Sequence, residues 1–307
     1  MIPTKAIALF SLFFVSISCN QKTAVKTDLV PKIESIQTEQ YELFIPPIQE
    51  GFLILFPCFP CDAANTKAEF DIVDDAMAHN IAVLLMNFNE HLWLSEDEKS
   101  SLEEIMLDAM EENQINSENS YIGGFSGGGN VTLLLGNYLK SKNSPLQPKG
   151  LFIVDSPIDL LGLYENAQRT IAKNYFKIAV DEAEWIVNIF ETEFGKGDTA
   201  ISHIQNTSPY TSQTHFTKNL SELKNLSLRF YSEPDTLWWK ENRHAEYEEM
   251  NAFYIEQLAA DLEKQNNGNS ISYIQTVNKG YRLNGERHPH SWSIVDKEDL
   301  IRWILEE

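Results

Sequence analysis

The chain has 307 residues, 43% of them apolar, and carries 45 acidic against 24 basic side chains, a formal net charge of -21. That length suits one large α/β domain or two small ones, and the apolar share excludes wholesale disorder. The acidic balance, with no basic stripe, excludes nucleic acid as a partner and repels anionic membranes and substrates.

Residues 1–19 read as a targeting segment. Lys5 supplies a minimal positive start, and Ala6 to Ser18 is an apolar run too short to span a bilayer comfortably. Its end, Val15-Ser16-Ile17-Ser18-Cys19, resembles a bacterial lipoprotein signal. The resemblance implies cleavage after Ser18, lipidation of Cys19 and a lipid anchor in the cell envelope. Asn20 after the cysteine favours the outer membrane, periplasmic side. An ordinary signal peptide with an incidental cysteine is the alternative. Residues 20–39 are polar and aperiodic and read as a tether.

From residue 40 the pattern is that of one domain running to residue 307. Tyr41–Ile45 reads as a first strand, and Phe52–Phe56, Ile81–Met86 and Gly150–Val154 as strands buried on both faces. Further strands fall at Leu226–Tyr231 and Ser270–Ile274, with another ending at Ser126. Helices are expected over Asn65–His79, Ser95–Glu112, Lys240–Lys264 and Val295–Leu305. Leu102, Ile105, Met106, Ala109 and Met110 share one face of the second. Strands alternating with helices predict a mostly parallel sheet with helices on both faces. Between Pro157 and Leu223 the alternation stops. Ile158–Gln168 and Glu182–Phe194 look helical and Ser202–Asn219 is polar, which predicts a helical cap insertion over about 157–223.

The stretch Tyr121-Ile122-Gly123-Gly124-Phe125-Ser126-Gly127-Gly128-Gly129-Asn130 places Gly-x-Ser-x-Gly between a strand and a helix, the context of a nucleophile elbow. A serine on so sharp a turn crowds its neighbours, so glycines flank it. The Gly127 N–H, at a helix N-terminus, is the first expected oxyanion donor. A glycine-rich turn with a buried serine is the bland alternative.

A serine nucleophile needs a base, and the base an orienting carboxylate, both beyond the carboxyl ends of strands. Ser232-Glu233-Pro234-Asp235 follows a late strand. Asp235 is the expected acid, with Glu233 as fallback. Arg287-His288-Pro289-His290-Ser291-Trp292 follows the last strand; His290 is the expected base, His288 the alternative, and Trp292 a packing anchor. The order Ser, acid, His, each at its own strand end, carries more weight than any single match. His79, His91, His203, His215 and His244 show no metal-ligand spacing, so no metal is expected.

The second oxyanion donor should come from Pro57-Cys58-Phe59-Pro60-Cys61-Asp62. The prolines lack an N–H, leaving Cys58 or Phe59, of which Phe59 is preferred. Cys58-Phe59-Pro60-Cys61 also resembles the redox motif of thioredoxins. A structural disulfide or two free thiols shaping the loop compete with that reading.

Together these residues resemble the α/β-hydrolase superfamily, from about Tyr41 to Glu307. The resemblance implies Ser126 as nucleophile, His290 as general base then acid, Asp235 as orienting acid, and an oxyanion hole of Gly127 and Phe59. It implies a cofactor-free serine hydrolase acting on a small-molecule acyl substrate, most simply a carboxylic ester; peptidase and thioesterase chemistry use the same triad. The chain departs from the superfamily in lacking a His-Gly-Gly-Gly oxyanion loop, and its fewer legible N-terminal strands point to a reduced sheet. Trp238, Trp239 and Leu160-Leu161-Leu163-Tyr164 are candidates for an apolar acyl pocket, with core packing competing for each. A non-catalytic binding lipoprotein on the same fold is the alternative function.

Overall fold

Where apolar residues run without interruption the chain forms strands buried on both faces. The computed structural model describes residues 34–88, 90–265 and 267–306. The strands are β1 (Glu34–Gln37), β2 (Tyr41–Ile45), β3 (Gly51–Phe56), β4 (Ile81–Met86), β5 (Ser120–Phe125), β6 (Gly150–Val154), β7 (Ser227–Ser232) and β8 (Ser270–Gln275). They form one sheet of order β1-β2-β4-β3-β5-β6-β7-β8. β1 and β2 pair antiparallel at one edge, and β4 through β8 run parallel.

The helices are α1 (Ala63–Phe70), α2 (Val73–Ala78), α3 (Glu96–Glu112), α4 (Gly127–Lys142), α5 (Leu160–Lys173), α6 (Lys177–Phe194), α7 (Asp198–Thr207), α8 (Thr236–Arg243), α9 (Asn251–Gln265) and α10 (Lys297–Glu306). Successive side chains of β3 leave by opposite faces, as the pleat requires. Phe52, Ile54 and Phe56 join a core with Leu102 and Met106 of α3, Leu134 of α4 and Leu258 of α9. Leu53 and Leu55 join another with Phe70 of α1, Ala76 of α2 and Ile301 of α10. α3 starts where Ser95 and Glu98 form a reciprocal capping box.

The departures from expectation have local causes. The sheet is not reduced, because the last part of the expected 20–39 tether is β1. The signal segment and Cys19 lie outside the described residues. The helix expected over 65–79 is two, α1 ending in a left-handed Asp71 at φ 49°. That over 240–264 is also two, broken at a left-handed His244 with φ 52°. The polar stretch 202–219 contains the second half of α7. Between β6 and β7 the chain runs through α5, α6 and α7. Leu160, Leu161, Tyr164, Phe190 and Ile204 pack there with Leu92 and Trp93. Leu160, Leu161 and Tyr164 therefore serve that packing.

Backbone contact is closest around β5. A methyl group on Gly124 would collide with the Gly128 carbonyl, and one on Gly128 with the carbonyls of Phe56 and Pro57. Only hydrogen fits between these segments. Gly128→Ala is expected to destabilise the fold by about 3 kcal/mol, the upper end for overpacking, read as a lowered midpoint in urea unfolding.

Candidate active site

Ser126 joins β5 directly to α4 with φ 54° and ψ -124°. Such backbone geometry is strained for a residue with a Cβ and persists only when its surroundings impose it. Here they do. The Ser126 N–H donates to Val154 O at 2.9 Å, and a methyl on Gly129 would collide with Ser156 Oγ. Asn130, fully buried one residue further on, donates from Nδ2 to Leu92 O at 3.1 Å and to Pro157 O at 3.0 Å. The elbow is thereby tied to the loops after β4 and β6.

Gly127 opens α4, so its N–H has no acceptor within the helix. A methyl at Gly127 would stand 3.0 Å from Phe59 Cβ and 3.4 Å from Phe59 N. The two expected oxyanion donors are therefore neighbours across the elbow. The Phe59 loop is stapled by a Cys58–Cys61 disulfide with a Cα–Cα distance of 5.0 Å. The Cys61 N–H also donates to Cys58 O at 2.7 Å. The next residue, Asp62, caps α1 by accepting from Asn65 N at 2.7 Å. Phe59 itself stacks on Trp185 of α6, centroids 5.1 Å apart.

His290 reaches the elbow from the loop after β8. Its ring packs against that of Phe125, the residue before Ser126, at 4.5 Å between centroids. Its Nδ1 lies 2.6 Å from Asp155 Oδ2, the N–H donating to a carboxylate that is 8% exposed. Asp155 is the first residue beyond β6 and is held with φ 44°. Its N–H donates to Tyr231 O at 2.8 Å, and its carbonyl accepts from Asn251 Nδ2 at 2.8 Å.

The carboxylate facing His290 is thus Asp155, and the expected pairing with Asp235 does not form. Asp235 caps α8, accepting from Trp238 N at 3.0 Å, and pairs with Arg287 Nη2 at 2.7 Å. Glu233, the fallback, is buried and accepts from Thr276 Oγ1, Lys279 N and Gly280 N at 2.8–3.2 Å, and pairs with Arg287 at 2.5 Å. Both acids are consumed in holding the loop that carries His290. Trp292, 1% exposed, stacks on Phe70 at 4.3 Å and anchors the far end of that loop. Asp155 left a signal in the sequence: it is the first polar residue after a fully apolar strand, Gly150–Val154, that ends in Asp-Ser-Pro.

Next to His290 is a cavity of about 310 Å³ walled by α5, α6, α8, α9 and the histidine loop, with Leu163, Trp239, Tyr254, His288 and His290 in its lining. Trp239 and Leu163 are the pocket candidates that reach it; Trp238 packs against His288 at 4.8 Å. His288 Nδ1 is buried without a hydrogen-bond partner among the described residues. Burial first, then the charges of Arg282, His290 and Arg243, push the His288 pKa down to about 3. His91, set aside in the sequence, meets Glu98 at 2.7 Å; with Glu90 it forms a group whose ligand atoms lie within 4.8 Å of one another. Glu98 is already engaged by Ser95 in the α3 capping box.

No protein-family model matches the chain, and no curated protein matches it by sequence. Solved structures do resemble it. The fluorophosphonate-binding serine hydrolase FphF of Staphylococcus aureus, solved with substrate bound, is 12% identical with a TM-score of 0.53, covering 90% of this chain and 98% of its own. An esterase of the bacterial hormone-sensitive lipase family is 13% identical with a TM-score of 0.56, covering 89% and 84%. EstE5, soaked with p-nitrophenyl butyrate, is 13% identical with a TM-score of 0.55, covering 90% and 86%. The fold is the α/β-hydrolase fold, with the mostly parallel eight-stranded sheet expected of it.

A histidine held neutral in the fold but free to protonate when unfolded makes the unfolded state bind more protons between pH about 3 and 6.5. Stability then rises with pH across that window and falls on acidification. His288→Gln should flatten the fall of the melting temperature between pH 6.5 and the folded value of about 3, relative to wild type measured in parallel.

Proposed function

We propose that the chain is a serine hydrolase of carboxylic esters working through Ser126, His290 and Asp155. The observation that carries the reading is the His290–Asp155 bond of 2.6 Å, which fixes the imidazole against the residue preceding a strained serine. The acid differs from the expected Asp235; the nucleophile and base are those expected.

In the proposed reaction Ser126 Oγ attacks the ester carbonyl carbon while His290 Nε2 takes its proton. Asp155 holds Nδ1–H, which fixes the tautomer and stabilises the imidazolium. The oxygen that becomes negative is met by the N–H groups of Gly127 and Phe59. Collapse breaks the bond to the alcohol, which leaves with the proton from His290. Water then attacks the acyl-enzyme with His290 again as base, releasing the acid and restoring Ser126. No step calls for a cofactor. The helices over 157–223 serve as a cap, and Trp185 on Phe59 couples that cap to the oxyanion loop.

The envelope reading rests on residues 1–19, with Cys19 as the lipid attachment site. The Cys58–Cys61 disulfide supports an oxidising compartment. Among the described residues no helix is long and apolar enough to cross a membrane.

A fluorophosphonate probe should label wild type stoichiometrically and Ser126→Ala not at all. Asp155→Asn should slow ester turnover by about 10³–10⁴-fold, whereas Asp235→Asn should act mainly through the melting temperature. Equal losses of kcat in the two aspartate variants at equal stability would remove the assignment of Asp155. Replacing both Cys58 and Cys61 by Ser should lower kcat with little change in KM, since the staple positions a donor used in the transition state.

A further inference from the structure

The cavity next to His290 holds an arginine without an ion-pair partner among the described residues. Arg282 lies in the same loop as His288 and His290 and lines the cavity with them. Its guanidinium stands over the Phe125 ring at 5.9 Å from the centroid, the same ring that His290 packs on. Among the described residues no carboxylate lies within ion-pair distance of it. Glu69 and Glu286 act on it only at longer range, while burial and the charge of Arg243 oppose its protonated form.

The acids around the cavity are committed elsewhere. Asp159 accepts from Gly162 N, Ser212 N and Ser212 Oγ at 2.6–2.9 Å. Glu249 pairs with Lys173 at 2.8 Å. Glu182 reaches Arg243 only at 3.7 Å from an exposed position. Two arginines thus converge near His288, whose buried Nδ1 has no partner among the described residues. In a chain of net charge -21, a half-buried arginine without a counter-ion beside a nucleophile elbow is costly unless something anionic completes it.

We infer that Arg282, assisted by Arg243 and His288, binds a carboxylate of the substrate, so that the enzyme selects esters bearing an anionic group a few bonds from the scissile carbonyl. The inference rests on the hydrolase reading above. Arg282 and His290 share the Phe125 ring, so the anion must sit close to the reacting carbon, and a long neutral acyl chain would leave the arginine desolvated and unpaired. His288, kept neutral, offers a hydrogen-bonding nitrogen beside the guanidinium without adding charge.

The test compares kcat/KM by pH-stat for monoethyl glutarate and ethyl pentanoate, which differ by a carboxylate in place of a methyl, on the full chain. A second pair, O-acetyl-lactate and isopropyl acetate, again a carboxylate in place of a methyl, puts the anion on the alcohol side. Wild type should favour the charged member of at least one pair by about ten- to a hundredfold, and the favoured pair identifies which side of the ester carries the anion. Arg282→Gln should bring that ratio near unity, Arg282→Lys should keep part of it, and Lys224→Gln, a remote surface charge, should leave it unchanged. A wild-type ratio at or below one for both pairs, or a ratio that survives Arg282→Gln, overturns the inference. Should no ester be turned over and no fluorophosphonate label appear, the hydrolase reading has failed instead. Calorimetric titration of glutarate then decides the anion site on its own: saturable binding lost in Arg282→Gln sustains it, and absence of binding removes it.

Discussion

Three backbones meet at the elbow with no room for side chains between them: the end of β5, the first turn of α4 and the end of β3. Gly124 against Gly128, and Gly128 against Phe56 and Pro57, leave space for hydrogen alone. This contact holds Ser126 in its positive-φ conformation and presents its side chain at the carboxyl edge of the sheet. It also brings the loop after β3 against the N-terminus of α4, so that Phe59 N and Gly127 become neighbours. Strained residues such as Ser126 and Asp155 cost about 1–3 kcal/mol each. Strands buried at every position, from β3 to β6, supply the rigidity that imposes those conformations.

The histidine arrives by a different route, and the order of the sheet explains its partner. β6 lies between β5 and β7, so the first residue past β6 is closer to the elbow than anything past β7. The loop after β8 must pass over the end of β7 to reach that place. Glu233 and Asp235 stand where it passes and grip it through Arg287, Lys279 N and Gly280 N. A buried carboxylate satisfied by several donors is a firm anchor, because each bond compensates its desolvation. The acids after β7 therefore position the loop, and Asp155 holds the His290 ring.

That division of labour marks the limit of what could be read in the residues. Sheet strands that are apolar throughout, the Gly-x-Ser-x-Gly turn between strand and helix, and the loop that sets Phe59 beside Gly127 all follow from local pattern. The carboxylate that faces His290 does not, since Asp155 and Asp235 both follow strands and only strand order in space separates them. Helix breaks at Asp71 and His244 escaped for a related reason: neither is glycine or proline, and each takes a left-handed cap that its sequence does not announce. β1 was hidden by its exposure, since an edge strand with polar faces carries no buried alternation.

Charge acts on two scales in this molecule, and they oppose each other. The net charge of -21 creates a repulsive field for anions, but counter-ions screen it beyond a Debye length of about 8 Å at physiological ionic strength. Inside the cavity Arg282 and Arg243 stand in surroundings of lower dielectric, where a single charge counts for more. An anionic ester would then meet resistance on approach and attraction on arrival. Selectivity of this kind resides in the bound state, in residence time and transition-state binding, and owes nothing to electrostatic steering. The products of such an ester would together be more anionic than the substrate by one charge. The acidic surface that would slow entry would favour their departure, so the two fields together would keep the arginine from becoming a trap for an anionic product.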